Sequence, residues 1–155
     1  MKYSIRLFTI VIFGVIGFAQ CVLAHDLPGA LGRKLSKAAA TDNYSVSCFD
    51  DGNGVPDHLS VVVFDKKPRN PAKISAQILL PATGAASDIS VDPVDGDGLP
   101  GSNIKLVGGA GPYQVNIAKT RSKKKGAEIY FVVFHCESAT GTHTGTNEPE
   151  LIKNQ

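Results

Sequence analysis

Two short stretches of this chain concentrate the oxygen ligands that a hard cation wants. Asp51-Gly-Asn-Gly-Val-Pro-Asp57 and Asp95-Gly-Asp-Gly-Leu-Pro-Gly101 share the pattern Asp-Gly-[Asn/Asp]-Gly-apolar-Pro. Carboxylate or amide oxygens alternating with glycines let a loop curl around Ca²⁺, which takes several such ligands. In the first loop Asp51, Asn53 and Asp57 can converge, with Asp50 alongside. In the second the candidates are Asp92, Asp95 and Asp97. The competing reading is turn chemistry alone, because Asp-Gly and Asn-Gly tolerate positive φ and make tight hairpins.

Histidine offers a second chemistry. If an export signal is cut before His25, the new terminal amine and the His25 imidazole can together chelate copper. His58, His135 and His143 are then available as a further ligand. Extra methionine or cysteine ligands for copper are absent from this composition. The basic run 119–125 (Lys-Thr-Arg-Ser-Lys-Lys-Lys) has no aromatic residue interleaved to stack bases, so it reads as a solvated hairpin loop, not a nucleic-acid surface. Asn43-Tyr-Ser45 is a glycosylation sequon, meaningful only in a eukaryotic host. No Gly-x-Ser-x-Gly, His-Glu-x-x-His, P-loop or dinucleotide fingerprint occurs, and the paired carboxylates lie in open Gly-rich turns. The expectation is a non-enzymatic binding or structural module.

The elements that must position these residues begin after a leader. Lys2 and Arg6 precede an apolar run over 7–18, and Val22-Leu23-Ala24 supplies the residues a signal peptidase reads. A signal peptide over 1–24 follows, with a periplasmic or secreted destination and no membrane span left afterwards. Cys21 follows Gln20, a poor residue directly before a lipidated cysteine, so lipidation is not expected. Of sixteen Lys plus Arg, two leave with the leader. The remaining fourteen balance fourteen Asp plus Glu, and no global field steers the chain to nucleic acid. Cys48 and Cys136 are the two cysteines that remain, and an oxidising compartment pairs them in a disulfide. A redox-active pair is disfavoured by the absence of C-x-x-C spacing.

The densest β-branched and aromatic run is 126–136, which reads as a central strand covered on each side. Further strands are expected at 43–49, 58–64, 73–80, 102–107 and 112–118, with a short edge strand at 88–91. Pro/Gly clusters at 67–71, 96–101 and 108–112 punctuate them. Six to seven short strands without an amphipathic helix predict an all-β protein, an antiparallel β-sandwich over 43–137. Pro28, Gly29 and Gly32 argue for a mobile arm over 25–42, with a helical turn or two near 34–40. The Gly- and Thr-rich residues 138–155 read as a flexible tail.

Two resemblances add to this. Each Asp/Gly loop resembles, over about nine residues, the calcium turns of thrombospondin type 3 repeats, which run Asp-x-Asp-x-Asp-Gly-x-x-Asp. It departs from them at Phe49, Pro93 and Gly101, and no bidentate Glu follows at the twelfth position. The order Gly-Gly-x-Gly-x-Tyr113-x-Val115, then Gly126-x-x-x-Tyr130, is similar to the closing strands of bacterial pre-peptidase C-terminal domains. That resemblance implies a small β-sandwich appendage of secreted proteins, some of which bind Ca²⁺ and most of which accompany an enzyme that this sequence does not contain. Separately, an exported module of this kind would meet an extracellular or envelope protein as partner.

Overall fold

Apolar side chains alternate with polar ones through most of this chain, and a period of two can bury one face only if two sheets close over each other. The computed structural model describes residues 25–34, 36–69 and 72–154, and it takes that form. The signal peptide expected at 1–24, with Cys21, lies outside the described residues. The strands are β1 (His25–Leu31), β2 (Ala40–Phe49), β3 (His58–Lys67), β4 (Ile74–Leu80), β5 (Ala85–Ala86), β6 (Ser90–Val91), β7 (Ile104–Val107), β8 (Gly111–Lys119), β9 (Glu128–Glu137), β10 (Gly145–Thr146) and β11 (Glu150–Lys153). One sheet has the order β1-β9-β3-β7. The other runs β10-β2-β8-β4-β5, with β11 also on β2 and β6 also on β4, and every pairing is antiparallel. Among the described residues none is helical, and no helix is long and apolar enough to cross a membrane.

The core lies between the sheets. Leu59, Val61 and Val63 of β3 and Tyr130, Val132 and Phe134 of β9 face Tyr44 and Val46 of β2, Val115 and Ile117 of β8, and Ile74 and Ile78 of β4. Each fully buried aliphatic side chain contributes about 1.5–3 kcal/mol. Cys48 and Cys136 form the expected disulfide, with Cα atoms 5.5 Å apart, and it ties β2 of one sheet to β9 of the other.

Several expectations need correction. Residues 25–31 form no arm: they are β1, hydrogen-bonded along β9 from His25↔Phe134 to Leu31↔Glu128. Pro28 is tolerated because β1 is an edge strand, where a missing N–H can face outward. Gly29 sits where a Cβ would come within 2.1 Å of the Tyr130 ring, so glycine here serves close packing. No helical turn forms at 34 or 36–40. The tail contributes β10 and β11; with β1 and the two-residue β5 they add to the six or seven expected strands, making eleven among the described residues. Strand β9 is central in its sheet, yet only its inner face is covered. On the outer face Phe131 packs edge-on against Phe64 at 5.8 Å, with Lys66 Nζ above both rings, and Phe131 and Val133 stay half-exposed.

Candidate metal centre

The inward parity of β3 runs Leu59, Val61, Val63 and then Asp65; that of β9 runs backward from Phe134 through Val132 and Tyr130 to Glu128. Both strands therefore place a carboxylate, where a core residue belongs, at the same end of the sandwich. Asp65 and Glu128 are each 0% exposed.

The second Asp/Gly loop supplies the third carboxylate. It is sewn to β3 by backbone bonds: Gly98 N–H donates to the Asp65 carbonyl at 2.8 Å, and Gly101 N–H to the Val63 carbonyl at 2.8 Å. Asp92 is buried at the loop's start. Its Oδ2 accepts from the Asp65 amide at 2.9 Å and its Oδ1 from the Val94 amide at 3.1 Å. Gly96 has φ +63°, and a Cβ there would lie 2.9 Å from the Arg69 nitrogen and 3.0 Å from the Pro68 carbonyl. Only glycine lets this loop press so close. The result is that Asp65, Asp95 and Glu128 each offer an oxygen within 4.8 Å of the others.

Three carboxylates so close repel one another, and at Asp65 and Glu128 little in the protein relieves the repulsion. No donor completes a hydrogen bond to either oxygen of Asp65 or to either oxygen of Glu128. Burial, then the charge on Asp95, pushes the Asp65 carboxyl up to about 7, although the Gly96 amide beside it works the other way. Burial, then the charge on Asp65, pushes Glu128 up to about 7, with Lys119 only partly compensating. The Lys119 ammonium is buried nearby but donates to the Gly126 carbonyl at 2.9 Å. Next to Glu128 on β9, Tyr130 donates to Asp42 Oδ2 at 2.8 Å and lies 2.6 Å from the Tyr44 hydroxyl. Burial, then that Tyr44 bond, pushes the Tyr130 phenol far up, so it stays a donor.

Of the six residues expected to ligate calcium, the structure brings only Asp95 into this cluster. Asp97 Oδ1 instead caps its own turn, accepting from the Leu99 amide at 2.8 Å, and Asp92 braces the loop. The first loop is exposed and is built from turn chemistry. Asp51 accepts from the Asn53 amide and side chain at 3.1 Å each, while Asp57 lies 3.0 Å from His58 Nδ1. Asp65 and Glu128 were missed by sequence reasoning. Their signal was parity: each is a charge on the apolar phase of a strand.

The histidines gather elsewhere. His25 starts β1 and its Nδ1 lies 3.1 Å from Glu148 Oε2. His135 Nδ1 and His143 Nε2 are 2.9 Å apart, with Glu137 within reach of both. His58 is held between Asp57 and Glu137.

No protein-family model and no curated protein matches this sequence. Among solved structures the chain is similar to the CspB protease of Clostridium perfringens, at 14% identity and a TM-score of 0.38, over 85% of this chain. The chain spans 28% of the length of that protease chain.

Proposed function

We propose that this protein is an exported, non-enzymatic binding or structural module whose β-sandwich holds one Ca²⁺ between Asp65, Asp95 and Glu128. The observation that carries the proposal is the pair of fully buried carboxylates, Asp65 and Glu128, with all four oxygens lacking a hydrogen-bond donor. A buried carboxylate without partners is costly, and a bound cation resolves it. An all-oxygen donor set favours a hard ion. Three protein carboxylates converging on one point suit Ca²⁺, which takes many oxygen ligands, better than Mg²⁺, which keeps several of its waters. The ion would clamp loop 92–101 onto β3 and β9, and its role is to order that loop for an extracellular or envelope partner. The disulfide supports an oxidising compartment, and the domain type is of the pre-peptidase C-terminal kind.

The test uses the mature chain, purified from an exporting host without chelator. Calcium titration by calorimetry should give one equivalent with a dissociation constant below about 10⁻⁴ M, at or tighter than the range of extracellular modules. Tb³⁺ should show tyrosine-sensitised emission, since Tyr130 faces Asp65 across the sheet. Asp95→Asn should abolish both signals. No heat and no emission up to about 10 mM Ca²⁺, well above that range, would sink the proposal.

A further inference from the structure

Away from the carboxylates, the end of β9 carries a second constellation, and we propose that His135, His143 and Glu137 form a separate site for a borderline divalent transition ion, with Zn²⁺ as its probe. The site would operate independently of calcium.

Its construction begins at the disulfide. Cys136 points inward and is bonded to Cys48, so its neighbours His135 and Glu137 project together from the other face of a strand that cannot shift. The chain then reverses. Ser138 N–H donates to the Thr142 carbonyl at 2.8 Å, and Thr144 N–H to the Cys136 carbonyl at 2.8 Å. This hairpin sets His143 opposite Glu137 and swings its ring against His135, with ring centroids 4.3 Å apart and planes at 69°.

The chemistry of the pair favours a metal. His135 Nδ1 and His143 Nε2 face each other at 2.9 Å, so one proton must lie between two nitrogens. Two nitrogens bound at about 2.0–2.1 Å to one tetrahedral ion lie roughly 3.3–3.4 Å apart, a few tenths of an ångström wider than this separation, which a small turn of the His143 ring supplies. The ion takes the place of the shared proton, and the ring that held it turns over to its other tautomer. Burial, then the neighbouring His143, lowers the His135 pKa, which keeps that imidazole in its neutral, ligating form.

Glu137 completes three ligands of the nitrogen–oxygen type that zinc accepts, and none of the three residues is fully buried, which leaves a fourth position for water. The carboxylate is held from behind. Its Oε2 accepts from Lys105 Nζ at 2.7 Å and lies 2.8 Å from His58 Nε2, and His58 is in turn held by Asp57 at 3.0 Å. Burial alone would raise the Glu137 carboxyl, but Lys105 and His58 hold it below the usual range, ionised and aimed. Such second partners orient metal ligands. His25 is near enough to influence His135, but its own Nδ1 is engaged with Glu148.

The experiment is competition between untagged mature protein and a chromophoric chelator for Zn²⁺, run in saturating Ca²⁺. One equivalent should bind. His143→Ala and His135→Asn should each weaken it by more than ~100-fold, and Lys105→Met, which only loosens Glu137, by roughly tenfold. Glu128→Gln and His25→Ala should leave it unchanged. Imidazole ¹⁵N spectra of the wild type give a readout that needs no variant to fold: Zn²⁺ should move the ring nitrogens of His135 and His143 and spare those of His25. Zinc affinity unaltered in His143→Ala, its loss in His25→Ala, or no binding at ~100 µM by folded, disulfide-bonded protein would each overturn the proposal.

Discussion

Replacing Glu128 by Gln should make the metal-free protein more stable and at the same time deaf to calcium. The substitution keeps shape and one oxygen, removes a charge, and brings a side-chain amide donor to Asp65, whose oxygens complete no hydrogen bond now. Glu128 rises from its ordinary 4.5 to about 7 in the fold. For an acid raised in this way, stability is fully present below the unfolded pKa, near 4.5, and drains away as pH climbs through about 7. At pH 8 in chelator, holding the buried anion therefore costs about 3 kcal/mol. Asp65 carries a penalty of the same sign, and because the two repel each other, neutralising one relieves the other in part.

Glu128→Gln should thus melt roughly 10 °C above wild type at pH 8 in chelator, for a domain of this size. Near pH 4.5 the two should converge. Adding calcium at pH 8 should raise the wild type and leave the variant where it is. Calorimetric melts at the two pH values, each with chelator and with calcium, decide it. A variant no more stable than wild type at pH 8 in chelator would show that these carboxyls are not strained. Equal calcium shifts in both proteins would place the ion elsewhere.

Three further outcomes follow from the same geometry. Asp51→Ala should leave calcium affinity within error of wild type while Asp95→Asn removes it, as titration calorimetry would show, because only Asp95 meets Asp65 and Glu128. Gly96→Ala should destabilise the protein by about 1–3 kcal/mol in urea unfolding and weaken calcium binding with it, since a positive φ and a Cβ at 3.0 Å from the Pro68 carbonyl push the loop off β3. Reducing Cys48–Cys136, which are 88 residues apart, should lower stability by about 4–5 kcal/mol if unfolded-state entropy dominates, and denaturant midpoints with and without reductant measure it.

Much of the sandwich was legible because its long strands alternate cleanly. β2, β3, β4, β8 and β9 follow from period two and turn residues, and the disulfide follows from the two cysteines that lie outside the expected leader. β1 was hidden by Pro28 and Gly29, residues that weaken strand propensity. What holds that strand is tertiary: the edge of β9, and the Tyr130 ring that fills the space above Gly29. β10 and β11 are too short to show a period. The site was half legible. The Asp/Gly echo pointed at Asp95, but ligand spacing within one loop misled, because the partners of Asp95 come from two strands distant in sequence. The apolar run of β3 ends at Phe64, one residue short of Asp65, while the strand itself continues to Lys67. The informative question was which face of the strand a charge occupies, and no local motif encodes it.

A sandwich that buries carboxylates at one end has given up apolar packing there, and uncharged residues of similar volume would usually be as stable or more so. On the calcium proposal a bound cation offsets that cost, and metal affinity and fold stability are then linked. That sets a numerical requirement. Offsetting about 4 kcal/mol takes free ligand near 1,000 times the dissociation constant. At about 1 mM calcium the site must then bind at about 1 µM to relieve Asp65 and Glu128 in full. A measured constant near 10⁻⁴ M would relieve only part of the strain, on the order of 1–1.5 kcal/mol at that concentration. In that case Asp65 and Glu128 must share a proton at neutral pH, and proton release on calcium addition, read from the dependence of binding heat on buffer ionisation enthalpy, would reveal it.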